Sequence, residues 1–523
     1  MRAVWVLCLL PGLLHAADPV AEQAAIIDKH ERDPFEQKKR SRAMSALSRI
    51  GSVDAARVME KLLEDPYLHI RDDAVYYLSL CGFKDPESLI FLCESLLKRR
   101  SPETRFRLAH AIRRSQKKSA VPALVDAMRK ERDLRAFEAI AEALQRLPDD
   151  TALEPLSRKA NLYPKGRAAC IRAMGAVPAG VGYCLAYKDD EDDAVRAALV
   201  DILALRKKPI LPEREIDDSV GVMEGIAFAA ALSKTKPPDL ALRRAEGLLK
   251  HPSWRVRAAA IDGVVEMHAP ELLGDLVERL EVEKGRLRFD AWRALRRMTG
   301  KDISPDASLW RALLPMHTLP DKRPFQNEIE SPGGTSEYWG IPVVSERIAF
   351  VVDPSGSMRK GNKMELARER FGEMSKGLTK KQRYDVFVYR YPSDHPPKPY
   401  LDRCFGKLKS GSTKKAVKWL GRQEPKGWGA LYEAMAAAID DDDVDTIYLL
   451  SDGRPSRGFV THWKRVLEEI ARINRWRQVR IHTILVGTEG TDRRFMAALA
   501  ESGGGHAVGS DKKPLAERGD GQK

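Results

Sequence analysis

The chain has 523 residues, more than one hydrophobic core organises, so two or more domains are expected. Its 43% hydrophobic and 31% charged residues exclude a disordered or fibrous chain and fit a globular one. The formal net charge of +14 and pI of about 9.3 favour acidic partners, namely nucleic acid, acidic glycans or an anionic surface. The plainer alternative is Lys and Arg spread over solvated helix faces.

Residues 1–17 read as a secretory signal. Arg2 supplies the positive start, Ala3 to Leu14 an apolar run, and His15-Ala16-Ala17 small residues for cleavage. The run is too short for a permanent membrane helix, and no later stretch is long and apolar enough. Export to a periplasm, cell surface or medium is expected. Five cysteines follow: Cys81, Cys93, Cys170, Cys184 and Cys404. They have neither CxxC spacing nor nearby histidine partners, which argues against a zinc site. An odd number leaves at least one unpaired in a monomer.

Residues 18–315 are expected to be helical. Apolar residues recur at three and four, and charges fill the other face. Ala194-Val195-Arg196-Ala197-Ala198-Leu199 is the clearest unit, and similar pieces align on Arg71, Arg105, Arg135, Arg167, Arg196, Arg257 and Arg288. The steps are 34, 30, 32, 29, 61 and 31 residues. The 61 spans about two periods, with Glu224 to Phe228 as the degenerate unit between. A period near 31 residues holds two antiparallel helices that cannot bury their own apolar faces, so the units must stack as a solenoid. These units resemble HEAT repeats. Their position-matched arginines are expected to pair with acids of the next unit or to cap carbonyls. The functional alternative is a basic ridge on the concave face, helped by Lys98-Arg99-Arg100, Arg113-Arg114, Lys117-Lys118 and Arg206-Lys207-Lys208.

Residues 316–341 carry linker chemistry, with Pro320, Pro324 and Ser331-Pro332-Gly333-Gly334. The aromatics of Tyr338-Trp339-Gly340-Ile341-Pro342 are expected to pack on one of the two domains. Residues 342–510 then change period. Four apolar runs read as buried strands: Ile348–Val352, Tyr384–Tyr389, Thr446–Leu450 and Val479–Val486. Amphipathic helices separate them, so a mostly parallel, doubly wound α/β sheet is expected. Residues 511–523 read as a polar, frayed tail.

The first strand runs into Asp353-Pro354-Ser355-Gly356-Ser357 and the third into Ser451-Asp452-Gly453. Both loops follow strand C-termini, where open α/β sheets place ligands. The DxSxS pattern and the second acidic loop resemble the von Willebrand factor A family over these residues. That resemblance implies a metal-ion-dependent adhesion site. Ser355 and Ser357 would bind Mg²⁺ (or Mn²⁺ or Ca²⁺) directly, and Asp353 and Asp452 largely through water. Few direct carboxylates leave such an ion electrophilic, so it can take an acidic side chain from a partner. The family's third-loop threonine is replaced by Gly429, within Gly427-Trp428-Gly429-Ala430, so the expectation is weak metal binding or a water in the threonine's place, the alternative being a site that has lost its metal and only holds the loops in shape. Trp428 offers an aromatic rim. Asp440 to Asp443 read as a solvated turn, and His506 as an edge residue.

Helical repeats, an A-type domain and a signal segment together resemble exported proteins of planctomycete-type bacteria, with no implied activity. The reading is a binding or scaffold protein, not an enzyme, whose α/β domain captures an acidic protein while the solenoid gives a second surface. The alternative is polyanion or nucleic-acid binding by basic repeats, since a similar pairing of domains occurs in Ro-type RNA-binding proteins. No HExxH, GxSxG or P-loop is present.

Overall fold

The computed structural model describes residues 18–31, 33, 36–314, 329–333, 335–390, 400–453, 455, 457–487 and 490–515. The signal segment, most of the 316–341 linker and the end of the tail lie outside the described residues. No described helix is long and apolar enough to cross a membrane.

Helices fill the first part up to Leu313. Their starts follow from local chemistry. Asp85 and Ser101 accept backbone N–H bonds at the openings of Pro86–Lys98 and Pro102–Ser115, and each helix has proline at its first position. Asp133 and Asp192 cap Leu134–Arg146 and Asp193–Leu205 in the same way. The helices form two rows. The inner row passes through Leu68–Lys84, Pro102–Ser115, Leu134–Arg146, Arg167–Gly175, Asp193–Leu205, Val222–Ala231, Trp254–Met267 and Gly285–Thr299, each packed on the next. One continuous apolar core runs from Ile27 to Trp310.

The repeat arginines hold this stack together. Arg105 donates to the carbonyls of Arg99 and Arg100, in the turn before its own helix, and to Glu131 of the following turn at 2.6 Å. Arg196 repeats the device with Asp190, Glu191 and Glu224, and Arg257 with His251, Pro252 and Glu283. Each guanidinium thus satisfies turn carbonyls and ties one unit to the next. The degenerate unit contributes the acceptor, since the fully buried Glu224 takes both Arg196 and Arg214. A basic ridge of free repeat arginines is therefore not what the sequence builds.

Asp73 joins neighbouring inner helices by accepting from Ser41 Oγ at 2.5 Å. Burial pushes its carboxyl up to about 6, against the opposing pull of Ser41 and Arg457. An acid raised in the folded state contributes stability below its unfolded pKa of about 3.9, and loses it as pH rises through about 6. Asp73→Asn should match the parent near pH 4 and exceed it by about 1–2 kcal/mol at pH 8. Denaturant unfolding at the two values checks this, and equal stability at both would refute it.

Six strands make the second domain's main sheet: β3 (Arg347–Val352), β4 (Arg383–Arg390), β5 (Tyr400–Arg403), β6 (Thr446–Ser451), β7 (Arg480–Leu485) and β8 (Gly504–Gly509). They follow a two-stranded pair, β1 (Glu337–Tyr338) and β2 (Ile341–Pro342). The sheet order is β5-β4-β3-β6-β7-β8, with only β5 antiparallel. Alternate residues serve opposite faces. Ile348, Phe350 and Val352 join one core with helix Lys363–Ser375, while Ala349 and Val351 join the other with Leu431–Asp440 and Trp463–Arg477. The fold is the expected helical solenoid followed by a doubly wound α/β domain.

Two boundaries are corrected. Tyr338 is buried edge-on against Phe350, Phe371 and Tyr448, so residues 337–341 belong to the α/β core rather than to a linker. Leu515 is buried, and its N–H donates to Ala507 O at 2.8 Å, so the chain is fixed as far as that residue. The Asp440 to Asp443 turn is not merely solvated either. These four carboxylates pair with Arg477, Arg403, Arg255 and Arg383. All five described cysteines are buried and unbridged.

The α/β domain docks on the inner row. Asp72, from Leu68–Lys84, pairs with Arg465 and accepts from Thr461 N at 3.0 Å and His462 N at 3.3 Å. It therefore caps the N-terminus of helix Trp463–Arg477 from outside. Tyr76 stacks on His462 with centroids 4.8 Å apart. At the helix's other end Arg475 pairs with Asp201, and Arg286 donates to Gln478 O and, at 2.7 Å, to Asp445 O. Arg480 meets Asp290 at 3.1 Å. The chain's own second domain thus packs on the solenoid's inner row.

Candidate metal centre

Sheet order places the site. From β3 the chain steps to β4 on one side and later to β6 on the other. The loops after β3 and β6 therefore leave the sheet in opposite senses and open a crevice at the switch point. Asp353 and Asp452 end these two neighbouring strands.

All four expected donors converge there. Ser355 Oγ lies 3.0 Å from Ser357 Oγ, and Ser357 Oγ donates to Asp452 Oδ1 at 2.9 Å. Adjacent ligands of an octahedral Mg²⁺, each 2.0–2.1 Å from the ion, lie about 2.9 Å apart. The spacing of the two serine oxygens fits that edge, with the Asp452 carboxylate next to them. Asp353 is already engaged by protein: one carboxylate oxygen accepts from Ser355 N at 2.8 Å, the other from Ser451 Oγ at 2.7 Å. Such a carboxylate suits a role through water or through the serines it orients. Burial pushes its pKa up to about 6; Ser451 opposes this and Asp452 adds to it. An ion loaded here would need that proton released.

The third loop lies where the resemblance put it. Gly356 N donates to Gly427 O at 3.0 Å, and Lys426 N to Pro354 O at 2.9 Å. Gly429 brings no side-chain oxygen, and its carbonyl accepts from Arg457 N at 3.1 Å. Trp428 is not a bare rim, because the Arg457 guanidinium lies 4.4 Å above its ring.

Several contributors went unread in the sequence. Lys363 Nζ reaches Asp452 Oδ2 at 2.8 Å, so an ammonium already neutralises part of the site. Ser451, next to Asp452, braces Asp353. Tyr389, buried on β4, turns its hydroxyl toward Asp353 and Ser451. The position of Lys363, in the first turn of the helix after the DxSxS loop, is the sequence signal for it, although an ammonium is not itself a metal ligand.

The segment after Asp452 is anchored at successive points. Phe459 N donates to Glu433, Gly458 sits so close to that carboxylate that a Cβ would lie 2.5 Å from it, and Thr461 reaches Asp72. The Phe459 ring lies beneath Arg135 of the solenoid, 4.5 Å from its guanidinium. The loop after Asp452 is therefore tied directly to the helical array.

No family model matches the chain. Among solved structures, a von Willebrand factor type A protein from Catenulispora acidiphila matches 34% of this chain and 41% of its own at 20% identity and a TM-score of 0.27. The human COPII-coat protein Sec24c matches 31% of this chain and 29% of its own, at 11% identity and a TM-score of 0.26. The CpcE and CpcF complex of phycocyanin lyase from Nostoc sp. PCC7120 matches 50% and 93%, at 15% identity and a TM-score of 0.27. The chain thus spans less than half the length of the first two.

Proposed function

We propose that this is a non-catalytic interaction protein whose α/β domain captures a carboxylate-bearing protein through a bound Mg²⁺ or Mn²⁺. The supporting observation is the pair of Ser355 and Ser357 oxygens, 3.0 Å apart as on one octahedral edge, with the Asp452 carboxylate beside them in the switch-point crevice. The serines would ligate the ion, and Asp353 and Asp452 would hold it mainly through water. Two carboxylates set against the Lys363 ammonium leave a divalent ion with net positive charge, open to an acidic side chain. The helical array serves as a cradle for this domain. The apolar run from Ala3 to Leu14 supports a site of action outside the cytoplasm.

Calorimetric titration of the whole chain with Mg²⁺ and Mn²⁺ tests the reading. Saturable binding is expected, and Asp353→Ala should abolish it, since that carboxylate orients both the Ser355 backbone and Ser451. Partner capture that survives both Asp353→Ala and chelator would sink the metal-centred mechanism. Nucleic-acid binding through the repeats has less support, because the arginines it would use are spent on turn carbonyls and neighbouring acids.

A further inference from the structure

The chain's positive charge is not where a basic solenoid would put it. Residues 18–314 hold 52 Lys and Arg against 47 Asp and Glu, an excess of +5. Residues 359–426 hold 19 against 7, an excess of +12 within a total of +14. This segment forms the β5 side of the α/β domain, from the end of the first metal loop to the third. Among the described residues, none of its hydrogen bonds or ion pairs reaches the helical array.

The charge is arranged as a track. Lys414, Lys418 and Arg422 follow at intervals of four along and just beyond helix Thr413–Gly421, all exposed and without an ion pair to any described carboxylate. Like charges at this spacing each cost about 0.2–0.5 kcal/mol, and nothing in the fold offsets them. By contrast, Lys98 is paired at this spacing with Glu94. Beyond Arg422 the track meets the site. Arg359 donates to Pro425 O at 3.0 Å, and Lys426 N joins that turn to the first metal loop. Lys360 is exposed beside Arg359.

We propose that this face binds a flexible acidic polypeptide segment, one carboxylate of which reaches the metal while its neighbours lie along the Lys414–Lys418–Arg422 stripe. The metal end rests on the function proposed above, whereas the basic face stands on its own charge and exposure. A chain of carboxylates is favoured over nucleic acid because the aromatics of this face are partly taken: Trp419, on the stripe's own helix, is half-buried against the core. Trp428 is covered by Arg457, and Phe405 lies under Lys415. Most of the exposed cations are lysines, which act as point charges rather than as bidentate forks for phosphate.

The test uses the full chain and a decaglutamate peptide, with Mg²⁺ and with chelator. Lys414→Glu/Lys418→Glu/Arg422→Glu should weaken binding roughly tenfold or more in both conditions. Asp353→Ala should remove only the increment that Mg²⁺ adds. Binding unchanged by the triple reversal overturns the proposal, as does its loss on reversing Lys98, Arg100 and Lys117 of the array instead. Tighter binding of oligothymidylate or a heparin fragment than of decaglutamate overturns the polypeptide as occupant. If the triple reversal abolishes binding while Mg²⁺ and Asp353→Ala have no effect, the metal reading fails and the basic face stands.

Discussion

Asp72→Ala should destabilise the chain by about 3–5 kcal/mol, because it strands a buried guanidinium. The Arg465 side chain is 6% exposed and that of Asp72 is 2% exposed. The same carboxylate also accepts from Thr461 N and His462 N, so its loss leaves the opening of helix Trp463–Arg477 without its cap. Denaturant unfolding gives the size of the effect. Hydrogen exchange gives its place, with faster exchange expected first in the opening turn of that helix. The double variant Asp72→Ala/Arg465→Met removes both charges and should recover much of the loss, since an apolar pair of similar bulk can replace a buried ion pair. A single-variant loss below about 1 kcal/mol would mean the two domains are not joined through this pair.

The same device occurs within the array. Asp193, on the preceding inner helix, accepts from Met223 N at 2.7 Å and Glu224 N at 2.8 Å. It approaches so closely that a Cβ on Gly221 would lie 2.2 Å from its carboxyl carbon. A carboxylate projecting from an inner helix thus caps another helix twice in this chain, and at Asp72 it is turned onto the second domain.

That turn explains what could and could not be read from the sequence. The repeat arginines were legible because Arg105, Arg196 and Arg257 do the same work within one period, and periodic work leaves a periodic pattern. The strands ending in Asp353 and Asp452 were legible because a sheet covered on both faces demands unbroken apolar runs. Strand β5 was not. It has four residues, Tyr400–Arg403, follows a proline-rich stretch and lies at the sheet edge. The docking was not legible either, since His462 meets Asp72 across 390 residues and no local spacing encodes it. Lys363 was not legible for a chemical reason: a metal site is recognised by its oxygen donors, and an ammonium enters such a site only as a competitor.

That competition sets the second large effect. Lys363→Met should tighten Mg²⁺ binding by about tenfold or more. Two unit charges 4 Å apart in water interact by about 1 kcal/mol, and a divalent ion doubles that, so removing an ammonium from the edge of the site is worth about 2 kcal/mol as a lower bound. The Lys363 side chain is 26% exposed and that of Asp452 is 7% exposed, so screening is incomplete and the gain should exceed the bulk-water figure. Stability should move in opposite directions in the two states. With chelator, Lys363→Met leaves the Asp452 oxygen that accepted Nζ without its counter-charge, and the protein should melt earlier than the parent. With Mg²⁺ the ion takes over that role, and the order should reverse. Adding Gly429→Thr should tighten binding further, because it places a hydroxyl on the loop that contacts Pro354 and Gly356. Calorimetry and melting, each with Mg²⁺ and with chelator, decide the matter. Weaker Mg²⁺ binding in Lys363→Met would show that the lysine positions Asp452 for the ion instead of competing with it, and the weak binding expected of this site would then rest on Gly429 alone.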